Sequence, residues 1–510
     1  MNAFFQAFLA VISPVSLLSI FSGTLCGIWV GIMPGLSSVM GMSIMLPLTL
    51  SLSGTNGIMM MLGIFCGAIY GGSITAILLN TPGTANSAAT CLDGHPMAIK
   101  YKQPGRALSI STTASTFGGL FAAVMLLITA PLLAKVALKF SAPEYFALAI
   151  FGLSVVTSVS STNVIKGLIG AIVGLLLATI GMDSFTGDFR LTFGTVYLTG
   201  GIGFIPVLIG LFAFSQGLIN VEDEYHNRKK MKKEVTVIER IFPSKEDLKT
   251  ITPTLIRSSL IGTLIGAIPG TGGDIASWVG YNEAKRWSKH PEKFGDGAPD
   301  GIAAPEAANN AISGGALIPL LTMGIPGDAC TAIMLGALMM QGITPGPLLF
   351  TEQAVKVYLI IVGLFFANIF MGIIGFSGIK LFSKIVHVPN IILAPIIFVF
   401  CFVGTFAINH NISDVYLMIV CGILGYYIIK MEFSIPPIIL GLILGSTIEN
   451  NYRRAMVLSD GNAFIFFERP ISCVLLIIGI LSLFYPFFFP IVKKAIAKHK
   501  LAKAGKGETQ

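Results

Sequence analysis

Four Pro-Gly steps lie inside apolar sequence, and most are followed at once by hydroxyl, amide or carboxyl side chains. Proline removes a backbone donor and clashes with the preceding helical turn, while glycine permits positive φ, so each step is predicted to end one helix and begin another. A helix N-terminus presents N–H groups with partial positive charge and binds anions without a lysine or arginine. The predicted anion-binding residues are Pro34, Gly35, Leu36, Ser37, Asn80, Pro82, Gly83, Thr84, Pro269, Gly270, Thr271, Gly272, Pro326, Gly327 and Asp328.

The four steps form two matched pairs, one pair in each half of the chain. The first set recurs at constant spacing: Gly27, Gly31, Pro34 and Gly35, then Gly262, Gly266, Pro269 and Gly270. The second set recurs with one residue inserted: Gly71, Gly72, Pro82 and Gly83, then Gly314, Gly315, Pro326 and Gly327. Duplicated halves with broken apolar segments at matching positions are typical of secondary transporters. We therefore predict two inverted repeats whose breaks meet at one site near the bilayer midplane. The alternative is that each step only kinks a tightly packed membrane helix, where glycine is common.

A second kind of chemistry is predicted around Glu306, which stands in a run of small residues. An ionisable residue in such sequence is a functional-site hypothesis, and carboxylate, amide and carbonyl oxygens suit hard cations such as Na⁺. The predicted ion-binding residues are Glu306, Asn309, Asn310 and Gly324, with Na⁺ placed at Glu306 and Asn310. Alternatively, Glu306 caps a helix at the membrane interface and the two asparagines finish a turn.

The composition predicts the elements that position these residues. Residues 1–92 contain no Asp, Glu, Lys or Arg, and the whole chain is 54% hydrophobic and only 11% charged. This is the composition of a polytopic membrane protein built from helices of about 20 residues. We predict an all-α fold with roughly ten to twelve crossings, counting segments long enough for a core of about 30 Å. The seven cysteines are scattered singly and are expected to pack as small hydrophobes.

Charge divides the chain into predicted parts. The net charge of +8 is concentrated in the segment 228–233 and in the C-terminal tail. Basic clusters beside membrane helices favour the cytoplasmic side and anionic lipid, so they predict a cytoplasmic C-terminus and not a nucleic-acid partner. The predicted parts are a first membrane repeat (1–221), a charged cytoplasmic linker (222–257), a second membrane repeat (258–492) and a basic cytoplasmic tail (493–510).

One alternative function class is an integral-membrane enzyme that acts on a lipid or peptide within the bilayer, but the sequence shows no convergent acid/base or metal set for it. The chain has no GxxxxGK[ST] run, no HExxH run, and six isolated histidines, so neither nucleotide hydrolysis nor a zinc-dependent intramembrane enzyme is indicated. No cofactor is expected apart from a coupling ion. A passive anion channel of similar fold remains a second alternative, which differs in that it conducts without accumulating solute.

Several runs resemble the large permease subunit of bacterial tripartite tricarboxylate transporters, the TctA family. The runs are Gly31–Gly35 (GIMPG), Tyr70–Ser73 (YGGS), Asn80–Gly83 (NTPG), Ile268–Asp274 (IPGTGGD), Ala304–Ala311 (APEAANNA) and Gly324–Gly327 (GIPG). The resemblance implies a multi-pass protein of the bacterial cytoplasmic membrane that imports small di- or tricarboxylates, citrate-like, by symport with Na⁺ or H⁺. It also implies two protein partners, a small membrane subunit and a periplasmic solute-binding protein that delivers the carboxylate.

Overall fold

The computed structural model describes residues 2–33, 36–52, 54–159, 164–226, 241–385 and 390–484. Within them the chain is almost entirely helical. In chain order the helices are α1 (Asn2–Val11), α2 (Pro14–Ile32), α3 (Ser38–Leu50), α4 (Asn56–Leu79), α5 (Cys91–Ile99), α6 (Pro104–Ala137), α7 (Ala142–Val159), α8 (Val164–Ala178), α9 (Val196–Thr199), α10 (Phe204–Leu208), α11 (Ser215–His226), α12 (Lys245–Gly266), α13 (Gly273–Trp287), α14 (Pro299–Gly315), α15 (Leu317–Met323), α16 (Ala329–Met340), α17 (Leu349–Glu352), α18 (Ala354–Ile385), α19 (Asn390–Asn409), α20 (Ile412–Lys430), α21 (Ile435–Leu458), α22 (Ile465–Glu468) and α23 (Pro470–Phe484). The prediction of an all-α fold is confirmed.

Short irregular elements complete the described chain. A 3-10 turn, Ala85–Ser87, follows α4, and a second, Pro291–Lys293, precedes α14. A π-helical stretch, Ile209–Phe214, joins α10 to α11. Two strands, β1 (Gly181–Met182) and β2 (Phe189–Arg190), pair antiparallel.

The helices identify a multi-pass membrane protein. Six are long and apolar enough to cross a bilayer: Pro14–Ile32, Asn56–Leu79, Pro104–Ala137, Phe204–Glu222, Ala354–Phe382 and Ile412–Lys430. Six shorter apolar helices accompany them: Ser38–Leu50, Ala142–Val155, Val164–Ala178, Ala329–Met340, Ala394–Asn409 and Pro470–Phe484. The total of ten to twelve crossings stays a prediction, since length and composition assign only the first six.

The chain forms two compact units, and each unit draws on both halves of the sequence. The first comprises Met1–Lys139 and Ile202–Met431, and the second comprises Phe140–Gly201 and Glu432–Gln510. Helix α11 continues to His226 and α12 begins at Lys245, so both ends of the predicted linker are helical. The middle of that linker, 227–240, and the predicted tail, 493–510, lie outside the described residues.

In the second unit, α7 and α8 pack against α21, and an ion-pair network fixes the hairpin of β1 and β2. Arg453 donates to Asp183 at 3.0 and 2.9 Å, and Arg190 donates to Glu449 at 2.7 Å. The backbone N–H of Phe185 and the Arg453 guanidinium hold the pKa of Asp183 below its usual range. Asp183 therefore caps the loop that follows β1, where its Oδ1 also accepts from the N–H of Phe185 at 2.8 Å.

In the first unit, a close glycine contact between two helices occurs twice. A Cβ built on Gly71 of α4 would lie 2.9 Å from the Cα of Gly31 in α2. A Cβ built on Gly315 of α14 would likewise lie 3.1 Å from the Cα of Gly266 in α12. Both distances are shorter than the roughly 3.5–4.0 Å of ordinary carbon contacts, so only glycine lets these backbones meet.

These contacts correct the alignment of the two halves. Gly71 occupies the position of Gly315, not of Gly314, so Gly72 corresponds to Ala316 and no residue is inserted before the second Pro-Gly step. The run containing Glu306, which has no visible sequence counterpart in the first half, corresponds to the first half of α4. The match is visible only in packing, because the side chains at these positions differ.

The later elements of each half pack against the other half. Helix α6 lies against α14, and α18 lies against α4. The turn Ala85–Ser87 contacts α13, and α3 contacts α16. In the first unit, elements of each half therefore pack against elements of the other half.

Candidate functional site

All four Pro-Gly steps coincide with a helix break, as predicted. Helix α2 ends at Ile32 and α3 begins at Ser38, while α4 ends at Leu79 and is followed by the turn Ala85–Ser87. In the second half, α12 ends at Gly266 before α13, and α15 ends at Met323 before α16. Pro34 and Gly35 themselves lie outside the described residues.

Contacts within each half bring its two breaks together. A Cβ on Gly83 would overlap the carbonyl oxygen of Gly31, and one on Gly327 would lie 2.7 Å from the carbonyl oxygen of Gly266. The N–H of Gly270 donates to the carbonyl of Gly327 at 2.7 Å.

Contacts between the halves close these breaks into a ring. The Cys330 thiol donates to the Ser38 hydroxyl at 3.4 Å, which joins the fourth break to the first. A Cβ on Gly273 would overlap the amide of Asn86, which joins the third break to the second. We call this arrangement the break ring; it comprises residues 36–38, 83–87, 269–275 and 326–331. The structure thus assembles the described anion-binding candidates other than Asn80 and Pro82, which lie just before the second segment.

Helices α3, α13 and α16 each follow a Pro-Gly step, and their N-termini are capped differently. The Ser37 hydroxyl accepts from the N–H of Met40 at 3.1 Å and caps α3. Asp328 and Thr331 cap α16 through a reciprocal capping box. Helix α13 begins after Gly272 and has no side-chain cap, although the first N–H groups of a helix have no partner inside it.

The remaining predicted residues of the breaks serve local backbone geometry. Asn80 follows α4 as its C-cap in the left-handed region with φ 55°, and its side chain is exposed. Pro82 follows it and is half-buried, whereas Leu36 and Thr84 are buried and Gly270 has a positive φ of 83°. The Thr271 hydroxyl donates to the Ile268 carbonyl at 2.8 Å, and the N–H of Gly83 donates to the Gly72 carbonyl at 3.2 Å.

Glu306 lies inside α14, fully buried, and its carboxylate accepts hydrogen bonds from hydroxyl groups of two other segments. Thr90, just before α5, donates to Oε1 at 2.5 Å, and Ser115 of α6 donates to Oε2 at 2.9 Å. The Ser73 hydroxyl of α4 also approaches this carboxylate. Glu306 is eight residues into its helix, so the alternative that it caps a helix end is wrong.

The other predicted ion-binding residues surround Glu306 unevenly. Asn310 lies one turn further along α14, and its amide donates to the Glu306 carbonyl at 3.0 Å. Asn309 is also buried, but it points toward Gly273 of α13. Gly324 is the C-cap of α15 with φ 73°, and its N–H donates a hydrogen bond to the Leu320 carbonyl. The structure therefore groups Glu306 with Asn310 and places Asn309 at the break ring.

Sequence reasoning missed the residues that complete these surroundings: Ser73, Asn86, Asp93, Thr90 and Ser115. Ser115 could have been noticed in the sequence, because hydroxyl residues are unusually dense in the apolar helix α6. Four of them are buried: Ser109, Ser111, Thr112 and Ser115. Nothing in the sequence pairs them with Glu306, because their partners are remote along the chain.

Asp93 fixes the entry to α14. Its Oδ1 accepts from the N–H groups of Gly295 at 3.0 Å, Gly297 at 2.9 Å and Ala298 at 2.7 Å, and the Tyr281 hydroxyl donates to Oδ2 at 2.9 Å. A carboxylate with this many donors is well stabilised although it is buried. Asp93 therefore orients the helix that carries Glu306 and Asn309.

Beyond this clamp a cavity of about 420 Å³ opens, lined by Gln103, Arg106, Lys293, Asp296 and Asp300 among others. The guanidinium of Arg106 donates to Asp247 at 3.0 and 2.6 Å, and Lys100 pairs with Asp296 at 2.5 Å. Hydrogen bonds from Lys100 and Tyr101 lower the pKa of Asp296. Burial raises the pKa of Asp247, but the Arg106 and Ser244 hydrogen bonds outweigh it and leave the pKa below its usual value.

Comparison with known proteins supports the family suggested by the sequence. The family model for the tripartite tricarboxylate transporter TctA family matches residues 17–440. The chain is 41% identical over 473 residues to an uncharacterised 52.8 kDa protein encoded in the 3′ region of ttuC′ in TAR-I of Agrobacterium vitis, covering 93% of both chains. It is 42% identical over 219 residues to a second Agrobacterium vitis protein, from the 3′ region of ttuC′ in TAR-II, which covers 43% of this chain and 90% of that one. No solved structure matches the chain. The match over most of the length of this helical membrane protein shows that the chain belongs to the tripartite tricarboxylate transporter TctA family.

Proposed function

We propose that this chain is the large membrane subunit of a secondary transporter that imports small di- or tricarboxylates across the bacterial cytoplasmic membrane. The observation that carries the proposal is the break ring, which gathers four helix interruptions of a TctA-family chain into one region of the first unit. Interrupted helices persist at membrane depth only where protein or a water-filled cavity satisfies their free backbone groups. Helix N-termini at such a place suit a carboxylate ligand.

The coupling ion is proposed to bind at Glu306. This carboxylate is completely buried, and its described partners are neutral hydroxyl groups. A buried carboxylate without a counter-charge is strongly disfavoured, so it needs a proton or a bound cation. Na⁺ or H⁺ at Glu306, beside Asn310, supplies that compensation and lies one helical turn from the break ring.

The remaining features of the transporter are proposed from the repeated sequence pattern, the basic tail and membership of the family. We propose inverted repeats, a small membrane subunit as partner, and a periplasmic binding protein that delivers the carboxylate. The C-terminus is proposed to be cytoplasmic because its tail is basic. One positive charge moving inward down 100 mV contributes about 2.3 kcal/mol, which is roughly a forty-fold accumulation. A doubly charged anion therefore needs two cations to enter without electrical cost.

The test is uptake of radiolabelled citrate and smaller dicarboxylates into proteoliposomes that contain the purified transporter complex. Na⁺ and pH gradients are imposed separately, with and without the binding protein. Accumulation above the external concentration, dependent on one gradient and on the binding protein, is expected. Equilibration without accumulation indicates a passive channel, and absence of carboxylate uptake under every gradient refutes the proposal.

A further inference from the structure

The N-terminus of α13 differs from its neighbours in the break ring because nothing within the described residues caps it. Its first residues, Gly273, Asp274 and Ile275, present N–H groups that have no partner inside the helix. Helix α13 has 15 residues, so its dipole is well developed at this end.

A second observation at the same place is the side chain of Asn309. It is fully buried, and neither its amide nitrogen nor its amide oxygen has a hydrogen-bond partner among the described residues. Buried amides normally have partners, and leaving both ends without one is costly. The Asn309 amide points at the α13 N-terminus, since a Cβ on Gly273 would overlap its Oδ1.

Asn86 approaches the same point from the other half of the chain. A Cβ on Gly273 would overlap its Nδ2 as well, so Gly273 has two amide groups over its bare Cα. Glycine is therefore required here for space, since its φ is not in the left-handed region. Two amide groups therefore lie against the start of α13, where the first N–H groups of the helix have no partner inside it.

We propose that the start of α13, together with these two amides, is the subsite for one carboxylate group of the transported acid, with Asn309 and Asn86 as side-chain donors and Gly273–Ile275 as backbone donors. The inference rests on the proposed function for the identity of the acid. A carboxylate has about four acceptor sites, so it can accept from several of these donors at once, and it gains from the helix dipole, which disfavours a cation at this end. Rotating an amide by half a turn exchanges its nitrogen and oxygen, so either asparagine can present Nδ2.

Asn309 thereby changes its role. The sequence groups it with Glu306 and Asn310 as a cation ligand, whereas its surroundings make it an anion ligand on the neighbouring face of α14. One helix then carries the cation residue and the anion residue within a single turn. This arrangement places the two charges close enough to attract each other across a short, buried distance.

The experiment measures binding of radiolabelled citrate to the purified full-length chain, together with hydrogen exchange of the peptide that spans residues 271–277. The variants are Asn309→Asp, Asn86→Asp and Gly273→Ala. The controls are Asn220→Asp, a buried asparagine elsewhere in the first unit, and Gly200→Ala, whose Cβ meets nothing within 4 Å. Asn86 lies half-buried on a turn, so its substitution tests the site even if a core variant fails to fold.

We expect each site variant to weaken citrate binding by about tenfold to a hundredfold, since hydrogen bonds to a charged group are of that strength, and each control to bind within about twofold of wild type. Citrate should also slow exchange of the Gly273–Ile275 amides in the wild-type chain. If citrate binds but the three variants bind normally and these amides exchange unchanged, the subsite is refuted and the proposed function stands. If the wild-type chain neither binds nor transports any carboxylate, both are refuted.

Discussion

The sharpest consequence of the break ring is that a single methyl group at one of its close backbone contacts should disable the protein. A Cβ on Gly327 would lie 2.6 Å from the Cα of Ala316 and 2.7 Å from both the Ala316 Cβ and the Gly266 carbonyl oxygen. Carbon atoms in contact are normally about 3.5–4.0 Å apart, so the fourth break must move by roughly 1 Å. Binding constellations tolerate only about 0.5 Å of displacement.

The expected effects of Gly327→Ala are a loss of about 1–3 kcal/mol in stability, typical of overpacking, and at least a tenfold loss of citrate uptake. Gly83→Ala should act in the same way, because its Cβ overlaps the Gly31 carbonyl oxygen and lies 2.9 Å from the Gly72 Cα. Uptake is measured in proteoliposomes at equal protein density, and stability by thermal unfolding of the same preparation.

The matched control is Gly200→Ala. Gly200 has φ −79° and ψ 0°, which alanine adopts freely, and an added Cβ there meets no atom within 4 Å. It should transport like wild type. Uptake by Gly327→Ala or Gly83→Ala within about twofold of that control, with an unchanged unfolding temperature, would show that these contacts do not hold the site and would refute the reasoning.

Two further predictions concern charge. Glu306→Gln keeps the shape of the side chain and can still bond the Thr90 and Ser115 hydroxyls, so the protein should fold. Its carboxylate uptake should no longer depend on the gradient of the coupling ion. An unchanged dependence of uptake on Na⁺ and pH would remove Glu306 from the ion site. The lowered pKa of Asp247 stabilises the fold above its unfolded value of about 3.9, and this contribution disappears as the pH falls through the lower folded value. Lowering the pH below about 4 should therefore reduce the unfolding temperature of wild type more than that of Arg106→Gln. An equal reduction in the two proteins would contradict this prediction.

The sequence predicted the helix breaks because proline and glycine act locally, on their own backbone and the preceding turn. Each predicted step does separate two helices, and the all-α fold follows from an apolar composition. The same local reasoning explains why Glu306 was identified, since a single carboxylate in small-residue sequence is conspicuous. These features require no knowledge of which segments meet.

What the sequence did not predict depends on contacts between remote segments. Thr90 and Ser115 reach Glu306 from elements far away along the chain, and Asn86 reaches Gly273 from the other half. The sequence alignment of the halves was displaced by one residue at Gly315, because it paired the two Gly-Gly sequences with each other. The helix contacts instead pair Gly71 with Gly315. Asn309 and Asn310 are adjacent in sequence, but a helix turns them to different neighbours.

The way the ring closes also explains why glycine is needed at its backbone contacts. Contacts of Gly31 with Gly83 and of Gly266 with Gly327 are backbone to backbone and lie within a half, whereas Ser38 with Cys330 and Asn86 with Gly273 join the halves. A methyl group added at one backbone contact has no flexible side chain to displace, so the strain passes to the next break. Because Gly270 is hydrogen-bonded to Gly327, displacement of the fourth break reaches the start of α13 directly. These contacts couple the breaks into one structural unit, so substitutions at separate breaks are expected to displace the start of α13.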